Sequence, residues 1–375
     1  MSGFGRSAFR SAWGSSKRWL GAATAGSFAY GSMLVVQQDE HKPAFKSAVD
    51  FGGYRLEYPE KKANDIMLAR KIVSPVDTSG LNLRLYQYQT CPYCCKVRAL
   101  LDYYGFSYEV VEVNPVTRSQ IKFSKQYRKV PIVVVEADEQ KQLNDSAFIV
   151  SLLRTFVADP SKSLAELIDF YPHHRQANAK GKETVECQNK YFVMFQEQLK
   201  SEKAILNKRE EREWREWVDQ HFVHMISPNV YRTMGEAIET FQWFSAVGDW
   251  NRNFPVWERY LAVYLGALAM YLIGKRLKKR HQITDERAAL FDACDTWLKA
   301  IGPHRKFMGG NEPNLADLAL YGAINSFVGC RAFAEMRENT HIGEWFDRMQ
   351  QAVASHAGSH ELAKSLAARQ KNKTL

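Results

Sequence analysis

Cysteine is scarce. Only six of 375 residues are cysteine, too few for a chain of this length to be a disulfide scaffold, so most are expected to be reduced thiols. Three of them, Cys187, Cys294 and Cys330, stand alone. A structural zinc site needs a second close pair, and the chain has no partner for its single Cys-x-x-Cys, which argues against a metal site. The net charge of +10 comes with no nucleic-acid-binding motif, no interleaving of basic and aromatic residues and no low-complexity arm. Nucleic acid is therefore not an expected partner, and the basic surface suits a membrane or small anionic ligands. Acids are missing altogether before Asp39, and charge of either sign is missing between Trp19 and Val36.

Residues 1–38 are a basic segment with Arg6, Arg10, Lys17 and Arg18 among many Ser, Gly and Ala residues. The uncharged run within it is 18 residues long, about the minimum for crossing a bilayer, but Thr24, Ser27, Ser32 and several glycines make it weakly apolar. A signal-anchor helix, an organelle presequence and a tail with no targeting role all fit this composition. The flanking charges favour a cytosolic N-terminus. Residues 39–80 mix charges with Pro43, Pro59 and Pro75 without a sustained period and read as a linker, with a short helix around Ala63 to Arg70.

What is present is concentrated in Leu83-Arg-Leu-Tyr-Gln-Tyr-Gln-Thr-Cys91-Pro-Tyr-Cys94-Cys-Lys-Val-Arg98. Leu83 and Leu85 start a strand of period two, and Val97, Leu100, Leu101 and Tyr104 then recur at helical spacing behind Pro92. Cys91 thus falls where a strand ends and a helix begins. Free N–H groups and the helix dipole acidify a thiol there, and Lys96 and Arg98 add positive charge. Such a thiol is redox-active or nucleophilic.

Downstream, Ser107 to Val113 alternates as a strand, Thr117 to Gln126 is polar and compatible with a helix, and Val130-Pro-Ile-Val-Val-Val135 suits a buried strand. Lys141 to Asn144 follows as an edge strand, and Asp145 and Ser146 open a helix. The order β-α-β-α-β-β-α over 81–158 is that of a thioredoxin-like domain of the glutaredoxin type. That fold places a cis-proline opposite the active cysteine, here Pro131, leaving the backbone of Val130 free to pair with glutathione. Asp145 and Ser146 at a helix N-terminus suit the γ-glutamyl end.

From Leu164 the pattern is helical throughout, with apolar spacing over Thr184 to Leu199, Trp214 to Ile226, Val256 to Ile273, Ala288 to Ile301 and Leu315 to Phe333. Asn314 and Asp317 form a variant capping box like that of glutathione transferases, and their role is read as structural. The fold class is therefore α/β plus all-α, with a helical glutathione-transferase-like domain over 163–358 and a basic tail over 359–375.

Seven segments together resemble the type 2 membrane-associated prostaglandin E synthases. They are Tyr86 to Cys94, Val111 to Pro115, Tyr127-Arg-Lys-Val-Pro131, Gln142 to Ser146, His224 to Arg232, Tyr271 to Arg276 and Phe307-Met-Gly-Gly. The likeness runs from about 81 to 350; Tyr93 departs from it, where the family is expected to carry Phe, and Cys95 is an additional adjacent thiol. The resemblance implies isomerisation of prostaglandin H2 to prostaglandin E2, a homodimer, binding of glutathione and haem, and an N-terminal membrane-associated segment. It points to the Golgi membrane, with the mitochondrion as the alternative.

A thiolate is a suitable soft nucleophile for peroxide oxygen. Cys91 is the expected nucleophile, with Tyr88 hydrogen-bonding the thiolate or leaving oxygen, Tyr93 lining the apolar side, and Cys94 needed for dithiol exchange. Arg276 and Arg280, at i and i+4, share a helix face and are candidates for carboxylates of substrate or haem. His221, His224 and Ser227, at i, i+3 and i+6, also share one face, which the resemblance implies borders the haem and glutathione cleft. Two other functions stay open: a glutathione-dependent thiol-disulfide oxidoreductase, and a non-catalytic membrane-tethered scaffold.

Overall fold

The computed structural model describes residues 54–57, 66–137, 140–177, 183–195 and 201–373. The basic segment 1–38, with its membrane-anchor reading, lies outside these residues. The stretch expected to be a linker instead supplies two strands, β1 (Arg55–Glu57) and β2 (Arg70–Val73). Residues 66–69 are not helical, and residues 63–65 of the expected helix lie outside the described residues. β2 alternates Arg70, Lys71, Ile72 and Val73, buries Ile72, and covers an edge that the sheet would otherwise leave open.

β3 (Leu83–Gln87) runs into α1 (Pro92–Tyr104), which crosses to β4 (Tyr108–Glu112), parallel to β3 with Leu83 opposite Tyr108. Gly105 ends α1 at φ 73°, and the N–H groups of Gly105 and Phe106 close on the carbonyls of Asp102 and Leu101. The polar stretch Thr117 to Gln126 forms only a 3₁₀ turn, Ser119–Ile121, because the Asn114 carboxamide accepts the N–H groups of Val116 and Thr117 and holds the chain in a turn. β5 (Ile132–Val135) and β6 (Lys141–Asn144) complete a six-stranded sheet of order β1-β2-β4-β3-β5-β6. The Val130–Pro131 peptide is cis.

α2 (Ser146–Ala158) and α3 (Leu164–Ile168) follow. The expected helix from Thr184 is absent. A hairpin stands there, β7 (His173–Ala177) with β8 (Glu183–Cys187), followed by turn and irregular chain to Phe195; residues 196–199 lie outside the described residues. Pairing explains the difference: His173 to Ala177 lies antiparallel to Glu183 to Cys187, with His173 opposite Cys187, and takes up the main-chain hydrogen bonds that a helix would have made within itself.

The helical part comprises α4 (Glu202–Trp217), a π-helical turn (Val218–Phe222), α5 (Val223–Val230), α6 (Met234–Val247), α7 (Trp250–Asn253), α8 (Val256–Arg280), α9 (Glu286–Ile301), α10 (Leu315–Asn325), α11 (Arg331–Asn339), α12 (Ile342–Ala354) and α13 (Ser359–Lys373). The run read as one helix from Leu315 to Phe333 is broken between α10 and α11. The expected basic tail is α13. Leu362, Leu366 and Arg369 lie on one face of it, the two leucines buried and the guanidinium 3.7 Å above the Phe156 ring of α2.

α10 is the element that locks the sheet domain to the helices. Asp317 accepts the N–H groups of Met308, Gly309 and Asn314 at 2.9–3.0 Å and the Trp345 indole N–H at 3.2 Å, which bears out its structural role. Gly322 lies directly against α1: a Cβ there would stand 2.6 Å from the Lys96 main chain. Only glycine allows this approach. The helix that carries Cys91 at its tip is thus buried between sheet and α10.

Candidate active site

Cys91 is the N-cap of α1, at φ −76° and ψ 124°, with Pro92 at the first helical position. Its N–H donates to the Tyr88 carbonyl at 3.1 Å, and its carbonyl accepts the Cys95 N–H at 2.8 Å. It is the only half-buried cysteine of the six; the other five are buried. A hydrogen bond from the Cys94 thiol holds the Cys91 thiol below the ordinary cysteine range, against the effect of burial and with help from the N–H groups of Cys94 and Tyr93 and from the charge of Arg98. Cys94 moves the other way, pushed up by burial and by the sulfur of Cys91. Burial pushes the Cys95 thiol up to about 11.

The residues expected around this thiol are partly rearranged. The Tyr88 phenol has Arg118 as its hydrogen-bond partner instead of Cys91, and burial raises its pKa. Tyr93 is half-buried, with the Lys96 ammonium 4.8 Å above its ring, and it faces Asp219, Cys91 and Asp145. Lys96 does not supply the expected charge to Cys91, because it is ion-paired with Asp219 across the domain boundary. Val130 shares an apolar cluster with Cys94, and Cys91, Tyr88 and Tyr127 pack against that cluster. Asp145, at φ 75°, caps α2 by accepting the Ala147 N–H at 2.8 Å and remains open enough to approach Lys190 at 3.6 Å. Ser146 is buried and lines a cavity with Lys96, Tyr191, Arg215, Asp219 and Leu315.

Against this geometry, residues 85–160 match the glutathione S-transferase N-terminal domain family. The prostaglandin E synthase 2 of Mus musculus is 44% identical to this chain over 308 residues, covering 80% of this chain and 78% of that protein. That of Danio rerio is 44% identical over 309 residues, covering 80% and 79%. The chain belongs to the prostaglandin E synthase 2 family. Among solved structures, an apo glutathione S-transferase III is 14% identical with a TM-score of 0.40, covering 76% of this chain and 96% of that one. A β-etherase from Sphingobium is 16% identical with a TM-score of 0.42, covering 74% and 99%.

In this member of the prostaglandin E synthase 2 family, the expected helical-domain residues are less closely grouped than their spacing suggests. His221 falls in the π-helical turn, is exposed, and lies 5.3 Å from the Trp217 ring. His224 is on α5, half-buried, and stacks on His281 at 4.2 Å. Burial, then the charges of His281 and Arg280, lower its pKa, so its imidazole is neutral at pH 7. The structure therefore brings His224 to Arg280. Ser227 is half-buried, its carbonyl against Gly274 of α8. Arg276 and Arg280 are exposed, and no ion pair engages either among the described residues.

Sequence reasoning missed three groups. The Tyr127 phenol faces the Asp145 main chain and lies near Cys91 and Cys94. The Tyr191 hydroxyl donates to Asp219 at 3.0 Å. Arg215, fully buried, donates to the Tyr191 carbonyl at 2.8 Å and to the Ser151 hydroxyl at 2.8 Å, joining α4 to α2 behind Ser146. Of these only Tyr127 carried a local signal, its place four residues before Pro131.

Proposed function

We propose that the chain isomerises prostaglandin H2 to prostaglandin E2 with Cys91 as the nucleophile. Besides the family, one observation carries this reading: an acidified, half-exposed thiol at a helix N-cap, hydrogen-bonded to a buried second thiol. The thiolate attacks one peroxide oxygen, the O–O bond breaks, and the other oxygen leaves as an alkoxide that takes a proton. Loss of the proton on the carbon bearing the S–O oxygen then forms the ketone and returns the S–O electron pair to sulfur. No outside oxidant or reductant is required. The neighbouring phenols of Tyr88, Tyr93 and Tyr127, all raised in pKa by burial, remain protonated at pH 7 and suit the role of proton donor to the alkoxide.

The residues fit glutathione: the open Asp145 carboxylate suits its ammonium, the Ser146 hydroxyl and helix N-terminus its carboxylate, and Val130 beside the cis peptide its main chain. Bound there, glutathione would supply a second thiol near Cys91. The exposed guanidinium groups of Arg276 and Arg280 fit carboxylates, including haem propionates. Haem would supply an iron centre for the endoperoxide.

A homodimer is supported by α8. Val256, Trp257, Tyr260, Tyr264, Leu265, Leu268, Leu272 and Ile273 are 43–64% exposed, while small Ala262, Ala267 and Gly274 face inward. Eight half-exposed large side chains present on the order of 800 Å², one partner's share of a standard interface. Residues 1–38 are proposed to attach the chain to the Golgi membrane, on their basic, acid-free composition and the family resemblance. A chain starting at residue 39 that still co-fractionated with that membrane would refute the attachment.

Product analysis after prostaglandin H2 addition tests the chemistry. Cys91→Ser is expected to abolish prostaglandin E2 formation, and Cys94→Ser to keep most of it. Loss of disulfide reduction in both variants, with no prostaglandin E2 from the parent, would instead establish a dithiol oxidoreductase, a reading the Cys91–Cys94 hydrogen bond also supports. A parent that turns over neither substrate is a scaffold.

A further inference from the structure

The turn that delivers Cys91 rests on a buried polar layer that the proposed chemistry does not touch. Arg98, two helical turns beyond Cys91, is 1% exposed. Its guanidinium donates to the Gln89 carbonyl at 2.5 Å, to the Cys95 sulfur at 3.0 Å and to the Gln87 carboxamide. Cys95 donates to the same Gln89 carbonyl at 3.4 Å. From the opposite side, Glu112 on β4 accepts the Gln89 N–H at 2.7 Å, and the Gln89 side-chain oxygen receives Gln87 at 2.9 Å and Arg70. Both main-chain polar groups of Gln89, two residues before the nucleophile, are therefore held by buried ionisable side chains. With Lys96 paired to Asp219, Arg98 is the cation whose charge reaches Cys91.

We propose that Arg98 is a positioning residue for the Cys91 thiolate: it clamps the Gln89 carbonyl to fix the turn entering Cys91, and it keeps a permanent buried cation within electrostatic reach of the sulfur. The inference rests on Cys91 being the reactive thiol. A structural role alone would explain the hydrogen bonds, but an apolar side chain would fill the same space without burying a charge on the Gln89 carbonyl, two residues before a nucleophile. The groups facing Arg98 are Glu112 and Tyr108 on β4, Arg70 on β2, Tyr321 on α10, and Cys94, Cys95 and Asp102 on its own helix. Among them Glu112 and Asp102 are the acids that can offset its charge, and Glu112 accepts the N–H of the same residue whose carbonyl Arg98 holds.

The test is iodoacetamide alkylation of the full chain followed against pH, with modification of Cys91 read by peptide mass spectrometry. Arg98→Gln keeps a donor for Gln89 but removes the charge. It is expected to raise the alkylation midpoint by about one pH unit, so that alkylation below both midpoints slows roughly tenfold. Arg98→Lys keeps a cation on a shorter reach without the planar fork, and its midpoint is expected between the two, with alkylation slowed roughly threefold. Thermal melts accompany both. Loss of melting temperature with three coincident midpoints would overturn the proposal, and coincidence of the parent and Arg98→Lys midpoints would do so even where Arg98→Gln does not fold. A parent midpoint at the ordinary thiol value of about 8.5 would instead remove the reactive-thiol reading itself, and the inference with it.

Discussion

Gly322→Ala is the perturbation that most directly probes how the helical part sets the thiol. The new Cβ would stand 2.6 Å from the Cα and N of Lys96 and 2.8 Å from the carbonyl carbon of Cys95. All three are main-chain atoms of a helix packed on its other side by the sheet, so none can swing aside. Ordinary contact begins at 3.4 Å, so α1 and α10 must part by 3.4 − 2.6, about 0.8 Å. A gap of that size forfeits a quarter to a half of the dispersion energy of the facing atoms, and overpacking of this kind costs about 1–3 kcal/mol. Alanine returns up to about 1 kcal/mol of helix propensity. With a rigid main chain on the other side, the upper end of the cost applies, and a net loss of about 2 kcal/mol is expected in urea unfolding. Gly235→Ala is the control: its Cβ meets only the Thr233 hydroxyl at 3.9 Å, so the same change there should stabilise by up to about 1 kcal/mol. The displaced α1 should also lower prostaglandin E2 formation per folded molecule in Gly322→Ala alone. Equal effects of the two substitutions on unfolding, or a Gly322→Ala protein as stable as the parent, would refute the close-packing argument.

Two further outcomes are expected. Burial raises the Glu112 carboxyl to about 7 from an ordinary 4.5, so the folded state holds a proton that the unfolded chain releases, and the stability this contributes is present below 4.5 and lost as pH rises through 7. Glu112→Gln cannot titrate: the stability of the parent relative to this variant should fall by up to about 3 kcal/mol between pH 4.5 and 7, and a pH-independent difference would contradict it. For α8, the double substitution Leu265→Glu and Leu268→Glu is expected to convert a dimer to a monomer by light scattering without loss of helicity, whereas an unchanged mass would rule this face out as the interface.

The features legible in the sequence were those that a few neighbouring residues decide. Pro92 behind Cys91 marks a helix start, Val130-Pro131 the cis bond, and Asn314 with Asp317 a capping box, and each is observed in place. What the sequence concealed depends on partners far along the chain. β2 is a strand because β4 offers an open edge, and nothing around Arg70 says so. The Thr184 segment fits a helical period as well as an alternating one, and only pairing with His173 to Ala177 decides between them. In the site, Lys96 and Arg98 looked interchangeable as cations near a thiol. They diverge because Lys96 meets Asp219, 123 residues later, while Arg98 turns under the sheet toward Gln89.

The opposite displacement of Cys91 and Cys94 bears on what the second thiol is for. A Cys94 thiol that stays protonated donates a hydrogen bond to the Cys91 sulfur, and that bond is the largest influence keeping Cys91 acidic. Its service to an isomerase is therefore electrostatic, not covalent, and any small buried donor can perform it. Serine is such a donor and alanine is not. Cys94→Ser consequently separates the two enzymatic readings: it preserves the hydrogen bond that an isomerase needs and removes the sulfur that dithiol exchange needs. Cys94→Ala would lower both activities and discriminate between neither.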